Sequence, residues 1–250
     1  MKTIADIRYG EHPMQLIDLY LPDGEVKAVY IYLHGGGLVH GSRRIDSEGG
    51  IPRQFTAQGI AVASVEYRMM PDFHYPVFVE DSALACAYVK KTLEKEYGFP
   101  GRTVIGGSSA GGYLTMMLAL DRHFLADVGM VPEDFDGFIF DDGQPTTHFA
   151  VLSERGFDAK RVIIDETAPL YHVQDARPGK PVLVFTAEFD MENRVEQNQL
   201  LIRAMKNFGY PEELIEYHHM LGYKHCGYIN AGPSGSNFYG EKCIAFILGK

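Results

Sequence analysis

Between Val104 and Leu118 the chain reads VIGGSSAGGYLTMML, two adjacent serines set between two pairs of glycines and followed by an apolar run. The preceding "RTVIGGS" has the β-branched bias of a strand, and "YLTMMLAL" reads as a helix, so the serines fall on a sharp strand-to-helix turn. Gly107-Ser108-Ser109-Ala110-Gly111 spells G-x-S-x-G with Ser109 at its centre. The backbone of a nucleophile at such a turn is strained, and residues two positions away must be very small to avoid a clash. The helix that begins there aims its free N–H groups and positive dipole end at the reacting centre. Ser108 then points elsewhere and is structural. A phosphate-binding turn is disfavoured, because no Walker lysine follows the glycines.

The rest of the chain supplies the frame for that turn. "QLIDLYLP", "AVYIYLHGGG", "IAVASVEY", "GFIFDDG", "PVLVFTAEFD" and "ELIEYHHM" have strand length and strand composition. Helical patterns lie between them, over Val77 to Tyr97, Ser109 to Leu120 and Arg194 to Phe208, with a closing helix over Asn237 to Leu248. Strands alternating with helices predict an α/β fold, with a mostly parallel central sheet covered on both faces. No repeat, low-complexity tract or linker breaks residues 1–250, so one domain is expected.

Composition narrows the partners. The formal net charge is −10, which disfavours nucleic acid and anionic membranes. No apolar run is long enough to span a bilayer and no leader pattern opens the sequence. Cys86, Cys226 and Cys243 are an odd set without CxxC spacing, which suggests a reduced, cytoplasmic setting. The adjacent His218 and His219 lack the spacing of a zinc site, so neither metal nor organic cofactor is expected. Arg43-Arg44 reads as a solvated surface pair.

A serine hydroxyl needs a base, and the base an orienting carboxylate. The carboxylate belongs just past a later strand, where Asp190 lies in the turn and Glu188 is the alternative at the strand's end. The histidine belongs after the last strand, which favours His225 in "LGYKHCGY" over His218 or His219. His34-Gly35-Gly36-Gly37 ends an early strand, where main-chain N–H groups can line a cavity and hold an oxyanion. Losing one such donor typically costs about 10²–10³ in rate. His40, on the same loop, reads as structural.

"HGGG", "GGSSAGG" and "VEYRMMPDFHYPVFVEDSALA" together resemble the α/β-hydrolase fold and, within it, the hormone-sensitive-lipase-like esterases, nearest to compact bacterial members of the feruloyl and acetyl-xylan type. The likeness covers nearly the whole chain. It implies Ser109 as nucleophile, His225 as base, Asp190 as acid, and an oxyanion hole from the N–H groups of Gly36, Gly37 and Ala110. "FDMENRVEQNQLL" is similar to the family's acid loop, which favours Asp190 over Glu188, and Arg68 and Asp81 become structural ties beneath the site. Such relatives often dimerise, which makes a homodimer an expectation by resemblance.

The chain departs from the pattern in carrying Ser108 where GDSAGG has an aspartate, and Leu38 where many relatives have an aromatic residue. About thirty residues precede His34, short of the helical cap of larger lipases, which implies a shallow, open pocket. A small lid would come from residues 143–172. The expected activity is hydrolysis of a small-molecule or short-acyl ester, with acetyl or feruloyl esters of plant carbohydrates as a refinement implied by resemblance. Amide or formamide hydrolysis, as in kynurenine-formamidase-like enzymes or small peptidases, is the alternative, and a non-catalytic binding protein on the same fold is the third reading. Phe73, Tyr75, Phe149, Tyr171, Tyr223 and Tyr228 are candidates to pack a phenolic acyl group, against a competing reading of most of them as core.

Overall fold

The apolar runs become strands because each can be buried on both sides. A computed structural model, which describes residues 1–45, 50–175, 179–229 and 238–250, shows this for β3 (Ala28–Leu33), every residue of which is buried. Val29, Ile31 and Leu33 pack into one apolar layer, while Ala28, Tyr30 and Tyr32 pack into the other. β4 (Ile60–Val65) and β5 (Thr103–Ser108) are buried throughout in the same way. Each fully buried large apolar side chain contributes roughly 1.5–3 kcal/mol, so these central strands anchor the fold.

Around them lie β1 (Lys2–Arg8), β2 (Leu16–Leu21), β6 (Gly137–Asp141), β7 (Val182–Phe189) and β8 (Ile215–Lys224). The sheet runs β1-β2-β4-β3-β5-β6-β7-β8. β1 and β2 pair antiparallel, β2 pairs antiparallel with β4, and every later pairing is parallel. This is the mostly parallel α/β sheet that the strand and helix alternation predicts. Its parallel strands all end on one edge, and the loops of interest leave from there.

One face is covered by α2 (Val77–Tyr88), α3 (Glu94–Tyr97), α4 (Ala110–Leu120), α5 (Arg122–Asp127) and α7 (Arg194–Asn207). The other carries α1 (Ile51–Thr56) and α8 (Phe238–Leu248). The helix expected over Val77 to Tyr97 is continuous but not uniform, since a wide π turn at Val89–Leu93 separates α2 from a last α-helical turn, Glu94–Tyr97. Gly98 ends it with φ 65°. α4 starts at Ala110, with Ser109 as its cap. The closing helix is described from Phe238, and its expected first residue, Asn237, lies outside the described residues.

Two features differ from the sequence reading. β1 was not expected as a strand, because KTIADIR is largely exposed and lacks a buried face. It is held from outside its own pattern: the Asp6 N–H donates to Asp18 Oδ1 at 2.9 Å, and Arg43 reaches the Asp6 carboxylate. Arg43 is therefore no solvated surface residue. It is buried, its Nε donates to Asp18 at 2.9 Å, and its Nη1 lies 3.4 Å from Glu66. Three carboxylates around one guanidinium outweigh the cost of desolvating it. Arg44 does remain exposed.

Arg68 and Asp81 form a two-point pair, Nε to Oδ2 at 2.8 Å and Nη2 to Oδ1 at 2.7 Å, with Gln15 donating to Asp81 as well. Residues 143–172 do not form a uniform flap. Gln144, Thr146, Thr147 and His148 are buried, α6 (Phe149–Glu154) follows, and the chain is exposed from Glu154 to Val162.

Candidate active site

Ser109 follows directly on β5 and adopts φ 56°, ψ −112°, a left-handed backbone that a serine accepts only under constraint. The constraint is visible. Its N–H donates to the Asp141 carbonyl at 2.8 Å, while α4 starts one residue later. A Cβ on Gly111 would sit 1.8 Å from the Leu33 carbonyl oxygen, and one on Gly107 2.4 Å from the same atom. Only glycine lets β3 and the elbow approach so closely.

The turn presents the Ser109 hydroxyl to His225, whose Nε2 lies 2.8 Å from Oγ. The other ring nitrogen, Nδ1, is 2.5 Å from Asp190 Oδ1. Asp190 follows β7 and His225 follows β8, so the parallel register carries both to the edge where β5 delivers Ser109. Burial alone would raise Asp190, yet hydrogen bonds with His225 and Asp142 outweigh it and hold this carboxyl below its usual value. Glu188 lies elsewhere: its carboxylate accepts the Gly222 N–H at 2.6 Å and ties β7 to β8. His218 pairs with Glu216 at 2.7 Å and His219 contacts Thr186 at 3.1 Å, both away from Ser109.

A second carboxyl pair supports the three loops. Asp141 ends β6 with no exposed surface, and its carboxyl accepts from Ser108 at 2.5 Å and from Tyr228. The Ser108 hydroxyl is thus directed beneath the elbow, into the sheet. Asp142 follows, equally buried, with φ 47°. Its Oδ1 accepts the Ala187 N–H at 2.8 Å and its Oδ2 accepts the Cys226 N–H at 2.6 Å. One side chain therefore ties β7, near its end, to the loop of His225, and Oδ2 lies 3.8 Å from His225 Nδ1. Burial, then the charges of Asp141 and Asp190, push Asp142 up to about 8, so it favours the protonated form beside the ionised Asp190. The sequence reading missed this pair, although "GFIFDDG" placed two acids at the end of an apolar strand.

The glycine loop is braced from behind. His34 is buried, bonded to Glu66 at 2.9 Å and to the Gly35 carbonyl at 2.7 Å, and stacked on Tyr67 with centroids 4.4 Å apart. Gly36 has φ 120°, and a Cβ there would meet the His40 carbonyl oxygen at 1.8 Å. Gly35, Gly36, Gly37, His40, Ser109 and His225 line one cavity of 540 Å³. Ala110 stands behind Ser109 at the first position of α4, where an amide has no acceptor within the helix.

The remaining walls are mostly apolar, with Ile45, Ile51, Phe149, Met191 and Ile229. Of the aromatic candidates, Phe149 alone is among the lining residues. Tyr228 is core, Phe73 packs against His12 and Arg68, and Tyr75 reaches the Glu166 carbonyl. Among the described residues, Asp142, His225 and Cys226 bring ligand-type atoms within 4.8 Å of one another. Both ring nitrogens of His225 already face Ser109 and Asp190, so an ion there would have to break that relay. The Cys226 thiol is pushed well up by burial and then by the neighbouring aspartates, which leaves it protonated and a poor nucleophile.

Residues 79–242 match the model of the prolyl oligopeptidase family, a span that holds Ser109, Asp190 and His225. The chain belongs to that family of α/β-hydrolases. A second family model, BD-FAE, matches residues 17–134, which hold the glycine loop and the elbow. Esterase LipC of Mycobacterium tuberculosis is 32% identical over 221 residues, 80% of this chain and 54% of LipC. The chain spans about half the length of that relative and less than a third of two others, Esterase LipI and Lipase 2. Among solved structures, a truncated carbohydrate esterase from gut microbiota superposes with a TM-score of 0.77 at 16% identity, covering 99% of this chain and 95% of that one. A hormone-sensitive lipase from a metagenome library superposes at 0.73 and 17% identity, covering 99% and 84%. At these identities the two structures support the fold alone. No helix among the described residues is long and apolar enough to cross a membrane.

Proposed function

We propose that the chain is a serine hydrolase of small carboxylic esters, acting through Ser109, His225 and Asp190. The observation that carries this reading is the relay of 2.8 Å and 2.5 Å opening on the glycine-lined cavity. Ser109 Oγ attacks the ester carbonyl carbon while His225 Nε2 takes the hydroxyl proton, and Asp190 stabilises the imidazolium that forms. The carbonyl oxygen gains charge against the N–H groups of Gly36, Gly37 and Ala110. His225 returns the proton to the departing alcohol, and an acyl-serine remains. Water, deprotonated by the same imidazole, attacks that acyl group and frees Ser109.

The cavity, at 540 Å³, is of ordinary small-ligand size, and its aliphatic walls suit a short acyl or modest aryl group. Acetyl or feruloyl esters of plant carbohydrates are the finer reading, supported by the BD-FAE match and by the printed name of the carbohydrate esterase neighbour. A second reading, amide hydrolysis, has the prolyl oligopeptidase match in its favour.

The test is hydrolysis of p-nitrophenyl acetate, methyl ferulate, acetylated xylo-oligosaccharide and N-formylkynurenine by wild type and Ser109→Ala. Loss of ester turnover in a folded Ser109→Ala protein supports the reading, and retained turnover refutes it. Faster turnover of N-formylkynurenine than of any ester would favour the amide reading.

A further inference from the structure

We propose that a second pocket, whose polar lining is Gln144, Lys160, Arg161, Glu192, Arg194 and Gln197, binds a carboxylate carried by the ester substrate. This pocket of 330 Å³ shares two walls with the reaction cavity, Phe149 and Met191, so a substrate reacting at Ser109 has a direct neighbour site. The inference deepens the ester-hydrolase reading and rests on it.

The argument lies in which polar groups are already engaged. Gln144, Arg194 and Gln197 form a floor only 4%, 3% and 8% exposed. Gln144 is fully engaged: its amide nitrogen donates to Thr146 and to the Thr147 carbonyl, and its oxygen accepts from Phe149 and Arg194. The Gln197 oxygen accepts the Thr146 hydroxyl at 3.0 Å, while its amide nitrogen has no partner among the described residues. Arg194 donates to the Asp142 carbonyl at 2.5 Å, to Gln144 at 3.3 Å and to the Met191 sulfur at 3.6 Å, which leaves part of its five-donor fork free, and it makes no ion pair among the described residues. Arg161 rests 5.7 Å from the Phe157 ring centroid and likewise has no ion pair among the described residues. Lys160 and Glu192, both at the exposed rim of the pocket, pair with each other at 3.1 Å, so their opposite charges offset and the net positive charge of the lining comes from Arg161 and Arg194.

The groups left over are thus donors: one amide and two guanidinium groups, the latter both charged. A ligand of the opposite character, acceptor-only and anionic, satisfies them together. A neutral sugar hydroxyl could accept from these donors but would bring no charge to the two guanidinium groups. A planar carboxylate matches the guanidinium fork, and charge-assisted bonds of this kind are the stronger ones. Burial pulls the Arg194 guanidinium below its usual value, against the opposing pull of Asp190 and Asp142.

Two substrate series and one variant test this. In the first, glutarate and its neutral diamide glutaramide compete with p-nitrophenyl acetate; in the second, 4-acetoxybenzoate and neutral 4-acetoxybenzamide are compared as substrates. The expected result is a preference of about tenfold or more for the charged member in at least one series, as a charge-assisted hydrogen bond gives. Arg161→Glu, on an exposed residue, should shrink that preference several-fold. Equal treatment of charged and neutral members in both series overturns the proposal, as does a preference that Arg161→Glu leaves intact. Glutarate binding to Ser109→Ala by calorimetry reads the pocket without turnover. If p-nitrophenyl acetate is not hydrolysed at all, the ester reading fails; if it is hydrolysed without charge preference, only the carboxylate site fails.

Discussion

Replacing Asp142 by Asn would separate its two tasks. The carboxyl accepts the Ala187 N–H at 2.8 Å and the Cys226 N–H at 2.6 Å from a position with no solvent exposure. Asparagine keeps one acceptor oxygen and turns the other into a donor, so one of the two backbone N–H groups meets an N–H instead of an oxygen. A buried donor left without an acceptor costs about 1–3 kcal/mol. If the Cys226 bond is the one lost, the loop bearing His225 is no longer tied to β6. Displacements of about 1 Å in a catalytic group can slow turnover by about 100-fold. The expected phenotype is a kcat for p-nitrophenyl acetate lower by roughly 10- to 100-fold, a nearly unchanged KM, and a lower urea midpoint. Asp142→Ala should be worse on both counts, because it forfeits both bonds. Wild-type kcat and midpoint in Asp142→Asn would refute the claim that this carboxyl positions the histidine loop.

Other expectations concern the neighbouring residues. Asp190→Asn should lower kcat by about 10⁴ by fixing the wrong imidazole tautomer, whereas Glu188→Gln should leave kcat within a few-fold, because Glu188 bonds Gly222 and not His225. The pH dependence of stability carries a definite sign. Asp142 rises from 3.8 to about 8 on folding, so the folded chain holds a proton that the unfolded chain releases. Its contribution is complete below the unfolded value and fades as pH climbs through the folded one. Urea midpoints compared at about pH 5 and about pH 9 should fall for wild type and fall less for Asp142→Asn; parallel declines would contradict the assignment. Gly111→Ala places a methyl 1.8 Å from the Leu33 oxygen, backbone against backbone, so a loss of about 1–3 kcal/mol or failure to fold is expected in thermal melts.

Much of the site could be read along the chain because its parts are local. The G-x-S-x-G turn announces itself: the glycines needed for the close approach of β3 sit two residues from the serine on either side. Strand order places Asp190 and His225, the proposed acid and base, since residues just past parallel strands share one edge of a sheet. Arg43 was misread because its carboxylate partners, Asp6, Asp18 and Glu66, lie far from it in sequence and meet it only when β1, β2 and the end of β4 come together. The aromatic candidates divided for a similar reason. Tyr228 and Phe149 look alike in a string of letters, and which of them faces core or cavity depends on packing between distant elements.

The amino-acid order by itself thus determined the alternation of strands and helices, the turn at Ser109 and the chain order of Ser109, Asp190 and His225. Each is encoded by neighbours within a few positions, through steric demands on the backbone and hydrophobic periodicity. The tertiary structure decided that Asp142 ties β7 to the loop of His225, that Arg43 is buried, and that a second pocket with free donors adjoins the cavity at Ser109. These follow from distances between residues remote in sequence, and from burial, which alters the energy of a charge only once the surrounding chain has excluded water.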